Sequence, residues 1–291
     1  MLKNKIKGAL YGFAVGDALG CTTEFMTEKQ VHDIYDVHKN IIGGGLLNWN
    51  CGDVTDDTDL MLCVGRAYMS NKMLDDFLEE CAAQFSQWYT SNPKDIGNCC
   101  NDVMAHCCDK SFVEWKKYSQ HKQDVSKRKD HGNGSLMRAL VPALCNDSMF
   151  AVEQGTLTHN NAYCSNIIDK YIETLNQYLN DDSVRVKVAL HNPTGEIVDT
   201  YASALYAVIN TDTFEKALIY TVNRGGDADT IGAIAGSLAG AKYGYDEIPV
   251  RWRNALHKST RKELDALADF IYAELMPNTE NFDMRVDNDR C

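Results

Sequence analysis

Proline is scarce, with five in 291 residues, and no Pro-, Gly- or Ser-rich stretch interrupts the chain. Neither a long disordered segment nor a linker between domains is therefore expected. No run of 18 or more apolar residues is present, so no transmembrane helix is expected. Basic residues are few: 29 Lys and Arg stand against 41 Asp and Glu, a formal net charge of −12. A nucleic-acid surface works by placing Lys and Arg on phosphates, so this balance argues against one. It leaves room for a small anionic ligand, because a bound divalent metal reverses the local charge. Strand-like alternation is also scarce. The run Val184-Arg185-Val186-Lys187-Val188 is the best candidate, and helices on either side could absorb it.

Cysteine is not scarce, but its pattern excludes two readings. The count is eleven, an odd number, and Cys99-Cys100 and Cys107-Cys108 are adjacent pairs that space a secreted disulfide framework poorly. Cys99, Cys100, His106, Cys107 and Cys108 lack the CxxC pair of a zinc site. A helix would put Cys100 and Cys107 on one face, where small thiols fill a core. Lys3, Lys5 and Lys7 ahead of the apolar stretch 8–16 have the outline of a signal peptide. Asp17 interrupts that stretch, which is short and rich in glycine, so none is read here. The chain is expected to be cytoplasmic, with reduced thiols.

Most long segments carry helical periodicity. Leu60, Met61, Val64, Ala67 and Tyr68 recur at spacings of three and four, as do Leu74, Phe77, Leu78, Cys81, Phe85 and Trp88. Helices are predicted over 57–69, 73–90, 164–179, 201–209, 213–223, 228–243 and 261–275. The charged stretch from Lys116 to Lys129 reads as a solvated helix or loop. The expected architecture is all-α, one compact domain over residues 1–291.

Four polar clusters exceed what a fold needs. In Gly52-Asp53-Val54-Thr55-Asp56-Asp57-Thr58-Asp59, helix capping accounts for one or two residues. Four carboxylates within seven residues repel one another, and a hard divalent cation such as Mg²⁺ or Mn²⁺ offsets that cost. In Asn223-Arg224-Gly225-Gly226-Asp227-Ala228-Asp229-Thr230, a double glycine allows a tight turn with close backbone approach before two acids and a threonine. These two acid-plus-Thr sets suggest halves of one dinuclear centre, with metals about 3.5–4 Å apart. His131-Gly132-Asn133-Gly134-Ser135 turns into a helix with backbone N–H groups that suit an anion such as a pyrophosphate. Gly16-Asp17-Ala18-Leu19-Gly20 with Glu24 reads either as a helix cap and a surface acid or as part of the site.

Together these clusters resemble the ADP-ribosylglycohydrolase family. The matching pieces run in the family's order: GALYGFAVGDALGCTTEF at 8–25, GDVTDDTDLM at 52–61, GNGSLMRALVP at 132–142, LTH at 157–159 and VNRGGDADTIGAIAGSLAGAKYG at 222–244. The resemblance implies an all-α fold, two Mg²⁺ or Mn²⁺ ions, and hydrolysis of the glycosidic bond that joins ADP-ribose to an acceptor. It also implies metal ligation by Thr55, Asp56 and Asp57 from one side and by Asp227, Asp229 and Thr230 from the other. Glu24 matches an acid beside the metals and the substrate ribose. Gly132, Asn133, Gly134 and Ser135 match the loop that contacts ADP-ribose, and His159 matches a histidine near its phosphates or adenosine. Asp130 matches a catalytic aspartate of some members.

In the implied reaction an oxocarbenium-like state is stabilised by nearby carboxylates, and Asp130 or Glu24 handles the proton. Asp59 stands where members often carry an uncharged polar residue, so an altered ion preference is expected. Asn160-Asn161-Ala162 replaces an acidic or proline-containing turn common after the histidine. Arginine-linked ADP-ribose on a protein is the first choice of substrate, with serine-linked or small-molecule derivatives as alternatives. A non-catalytic ADP-ribose-binding protein and a dinuclear hydrolase of another nucleotide or phosphate ester are the competing readings. No nucleic-acid or membrane partner is expected, and a monomer is the default.

Overall fold

Glycine recurs every fourth residue at 8, 12, 16 and 20, and again at 232, 236 and 240. In the computed structural model, which describes residues 1–125, 131–184 and 186–276, those two rows face each other. They lie on helix α1 (Leu2–Gly20) and helix α12 (Ala228–Tyr243), packed antiparallel at the centre of the molecule. Gly8 meets Gly240, Gly12 meets Gly236 and Gly16 meets Gly232. A methyl group on Gly12 or Gly16 would fall 2.1 or 1.9 Å from the opposite carbonyl oxygen, so only hydrogen fits there. The stretch from Gly8 to Gly20 is buried throughout.

The other helices wrap this pair. In chain order they are α2 (Glu28–Tyr35), α3 (Asp56–Ser70), α4 (Leu74–Thr90), α5 (Asn98–Cys107), α6 (Phe112–Val125), α7 (Leu140–Leu144), α8 (Ser148–Thr156) and α9 (Ala162–Leu179). After these come α10 (Ile197–Ile209), α11 (Phe214–Val222), α13 (Val250–Ala255) and α14 (Lys258–Leu275). Helices α9, α10 and α11 pack on α12, while α3 and α14 pack on α1. One hydrophobic core runs through the described residues, from Ile6 to Ile271.

The predicted helices are present, with ends displaced by at most four residues. The Val184–Val188 strand is not: its described residues have no regular structure, and only isolated bridges occur among the described residues. Helix α6 covers the charged stretch as far as Val125, and Ser126 to Asp130 lie outside the described residues. Cys100 and Cys107 are buried on one face of α5, and all ten described cysteines are free thiols. No described helix is long and apolar enough to cross a membrane.

The antiparallel crossing positions the site. It sets the C-terminus of α1 against the N-terminus of α12, with Gly20 packed on the backbone of Ala228. The wholly buried Asp17, one turn before the end of α1, accepts hydrogen bonds from Thr55 N, Thr58 N and Thr58 Oγ1 at 3.1, 3.1 and 2.5 Å. Asp17 thereby caps α3 rather than its own helix. Three helix ends meet at one point.

Candidate active site

The tight turn predicted at the double glycine is built from both sides. Gly225 and Gly226 have φ of +63° and +69°. A Cβ on Gly225 would lie 2.0 Å from Met26 O, and one on Gly226 would lie 1.9 Å from Pro193 O. Gly226 N donates to Met26 O, Phe25 N donates to Gly226 O, and Asp227 N donates to Pro193 O. This clamp places Asp227 and Asp229 beside Glu24. Oxygens of Glu24, Asp227 and Asp229 converge within 4.8 Å of one another.

The second acid set arrives on α3. Thr55 caps the helix by accepting from Asp57 N, and its hydroxyl donates to Asp57 Oδ2 at 3.2 Å. Thr230 Oγ1 lies 3.1 Å from the same oxygen and 3.4 Å from Asp227 Oδ1. The two halves read from the sequence therefore touch through Asp57 and Thr230. Asp56 Oδ2 accepts from Gly97 N at 3.3 Å.

These carboxylates are buried in one another's fields. Burial, with the charges of Asp95 and Asp227, pushes Glu24 up to about 9. Burial and Asp95 push Asp56 up to about 8, and burial drives Asp227 up to about 6. Asp57 and Asp229 are driven well above the usual carboxylate range by burial and neighbouring acids. Glu24 Oε2 and Asp57 Oδ1 are buried with no hydrogen-bond partner. Buried, unpaired acids of one sign carry a heavy cost, and oxygen donors of this kind fit hard divalent cations. The residues present fit a metal centre.

A cavity of about 580 Å³ opens over the cluster. Glu24, Asp56, Asp227, Asp229 and Thr230 line its acidic side, and Gly132, Asn133, Gly134 and His159 line another part. Asn133 lines the cavity, and both its backbone N–H and its side-chain amide are engaged within the protein. Its backbone N–H is spent on Gly195 O at 3.0 Å, and its Nδ2 donates to Asp227 Oδ2 at 2.5 Å and Thr200 Oγ1 at 2.8 Å. Asn133 holds a candidate ligand in place. Ser135 is fully buried against Gly155 and is not among the lining residues. Thr55 and Asp57 are not among the lining residues: Thr55 donates to Asp57, and Asp57 accepts from the lining Thr230. Asp130 lies outside the described residues.

Two acids of the first cluster face elsewhere. Asp53 accepts from Asn50 N at 2.7 Å and lies 3.0 Å from the ring of His257. Asp59 accepts from Trp88 Nε1 at 3.0 Å and does not line the cavity. The extra charge at Asp59 thus points away from the cavity, which removes the reason for expecting it to alter ion preference. Two features of the cavity carry no mark in the sequence. Asp95 lines it from the loop between α4 and α5, and burial raises its carboxyl. Pro193, Thr194 and Gly195 form another edge. Both loops lack helical period and carry no motif, so neither offered a signal.

This arrangement matches known proteins over nearly its whole length. A sequence model of the ADP-ribosylglycohydrolase family matches residues 1–168 and 163–281. The chain belongs to the ADP-ribosylglycohydrolase family. An ADP-ribosyl-[dinitrogen reductase] glycohydrolase of Rhodospirillum rubrum is 34% identical over 91% of this chain and 95% of its own. An ADP-ribosylarginine hydrolase, Tri1, of Serratia proteamaculans is 27% identical over 89% of this chain and 76% of its own. Among solved structures, an ADP-ribosylglycohydrolase-related protein complex superposes with a TM-score of 0.74 at 25% identity, covering 94% of this chain and 99% of that one.

Proposed function

We propose that this chain hydrolyses the N-glycosidic bond between ADP-ribose and an arginine side chain of a modified protein. The observation that carries the reading is the convergence of Glu24, Asp227 and Asp229 within 4.8 Å at a cavity of about 580 Å³. That volume suits a nucleotide-sized ligand. The family membership supports the reaction, the name of the Rhodospirillum rubrum relative supports a modified protein as substrate, and that of the Serratia proteamaculans relative supports arginine as the acceptor.

Thr55, Asp56, Asp57, Asp227, Asp229 and Thr230 would hold two Mg²⁺ or Mn²⁺ ions, with Glu24 beside them. Bound there, such cations would supply Lewis acidity and an activated water at neutral pH. The chain's own residues do the rest. Asn133 fixes Asp227, and Asp17 fixes the start of α3, so the donors are preorganised before substrate arrives. The carboxylates facing the anomeric carbon stabilise the positive charge that develops as the C–N bond breaks.

A proton must reach the departing guanidine nitrogen, and one must leave the attacking water. Glu24 and Asp130 are assigned to this traffic. Asp95 joins them, because its carboxyl lines the cavity and burial favours its protonated form. The test is a choice between linkages. Offered arginine-linked and serine-linked ADP-ribosyl peptides in parallel, the protein is expected to release ADP-ribose from the arginine peptide at least tenfold faster, a difference of about 1.4 kcal/mol in the barrier. Equal or reversed rates would overturn the acceptor assignment.

A further inference from the structure

Two carbonyl oxygens hold the acidic cluster from outside the helices that carry it. Pro193 O accepts from Asp227 N at 3.0 Å, and Gly195 O accepts from Asn133 N at 3.0 Å. Asn133 in turn donates through its side chain to Asp227 Oδ2 and Thr200 Oγ1. Both carbonyls belong to one irregular segment, 191–195, that leads into α10. Gly195 also packs beside Asp227, since a Cβ there would fall 3.7 Å from Asp227 Oδ2. A segment with no helix or sheet ladder of its own keeps one shape only where other groups tie it down.

The tie is Asp199, in the first turn of α10. An acid at that place favours the helix dipole. Its carboxylate also reaches back over the segment. Oδ1 lies 2.7 Å from His191 Nδ1, and Oδ2 accepts from Thr194 Oγ1 at 2.6 Å. A carboxylate only accepts, so the imidazole donates from Nδ1. One side chain therefore grips the segment on both sides of Pro193. Thr194 Oγ1 accepts from Glu196 N at 3.3 Å, which fastens the same residue to the helix start. His191 O accepts from Arg224 Nη2 at 2.7 Å, so the segment and the chain entering the double glycine brace each other. Asp199 itself does not line the cavity.

We infer that Asp199 is a positioning residue. By holding His191 and Thr194 it fixes the carbonyls of Pro193 and Gly195, and through them Asp227 and the Asn133 that steadies its carboxylate. That Asp227 then serves a cation rests on the proposed function; the holding of Asp227 does not.

Amide hydrogen exchange in the full chain, read residue by residue by NMR, tests this without metal or substrate. In Asp199→Ala the N–H groups of Asp227 and Asn133 are expected to exchange about tenfold faster than in the wild type, the equivalent of one lost hydrogen bond. Thr194→Val releases one grip only and guards against a variant that fails to fold. It is expected to speed the same two amides, whereas Thr194→Ser, which keeps the hydroxyl, leaves them as they are. Asp147→Ala is the control for a merely structural role, because Asp147 also accepts two hydrogen bonds, from Phe150 N and Tyr68 Oη, but at the start of α8. It is expected to leave both amides unchanged. Calorimetric titration with Mn²⁺ should follow the same order, with affinity about tenfold weaker in Asp199→Ala and unaltered in Asp147→Ala. Unchanged exchange at Asp227 and Asn133 in Asp199→Ala, or equal acceleration in Asp147→Ala, overturns the inference. If the wild type binds no Mn²⁺, the metal centre of the proposed function fails, and the exchange rates still decide the role of Asp199.

Discussion

Thr230 Oγ1 lies 3.1 Å from Asp57 Oδ2, across 173 residues of chain. This contact joins the N-terminus of α12 to that of α3 and makes one site of two separate sequence clusters. Both partners are buried, and the other oxygen of Asp57 has no hydrogen-bond partner. A hydroxyl donating to one carboxylate oxygen leaves the other aimed for a cation. Replacement of Thr230 by Val is therefore expected to weaken divalent-cation binding by about tenfold or more, in the range seen when groups supporting a metal site are lost. Calorimetric titration with Mn²⁺ measures this. An unchanged affinity would show that the two clusters do not act together.

Asp229 belongs to the group of three converging oxygens and is almost fully buried. Asp229→Ala is expected to abolish turnover with helical circular dichroism retained, since the side chain meets other acids rather than the core. Activity in excess Mg²⁺ close to that of the wild type would remove Asp229 from the metal set.

Stability should depend on pH in an unusual direction when cations are withheld. Glu24 is raised to about 9 and Asp56 to about 8 in the folded protein, whereas unfolded carboxyls titrate near about 4. Between those limits the folded state binds more protons than the unfolded state, so stability falls as pH rises. Chelated protein is thus expected to melt at a lower temperature at about pH 8 than at about pH 5. Added Mg²⁺ or Mn²⁺ replaces the protons and restores more stability at the higher pH. Melting curves with and without chelator check this, and a chelated protein that gains stability over the same range contradicts it.

Much of this was legible in the sequence, for identifiable reasons. Helical period marked the long amphipathic elements such as α4 and α9, and Gly225-Gly226 signalled a turn that the clamp by Met26 and Pro193 now explains. Paired acids and threonines marked the two halves of the site. Other roles depend on contacts between segments distant in the chain. That Asp17 caps α3 shows only once the N-terminus of α3 is seen to lie on it, and that Asn133 also donates to Asp227 shows only once the two are seen side by side. The irregular loops that bring Asp95 and Pro193 to the cavity have no period to read. Asp53 and Asp59 share the cluster of Asp56 and Asp57, but Asp53 lies ahead of α3 against Asn50 and His257, and Asp59, within α3, is held by Trp88.

The glycine rows predict a coupled failure of fold and site. Gly12→Ala would force a methyl group to within 2.1 Å of Gly236 O, so α1 and α12 must separate. Overpacking of this kind costs about 1–3 kcal/mol, here at the upper end because the neighbour is backbone. Separation also moves Glu24 away from Asp227. Denaturant unfolding should show the stability loss, and Mn²⁺ affinity should fall with it; a destabilised protein with unaltered affinity would separate the crossing from the site.

The most direct test is release of ADP-ribose from arginine-ADP-ribosylated protein, measured with Mg²⁺ or Mn²⁺ and again after chelation. Release with either metal that stops on chelation and returns on adding the metal back is the predicted result. Release that continues unchanged without metal, or no release although metal and ADP-ribose bind, would contradict the account of the acidic cluster as a metal-dependent glycohydrolase centre.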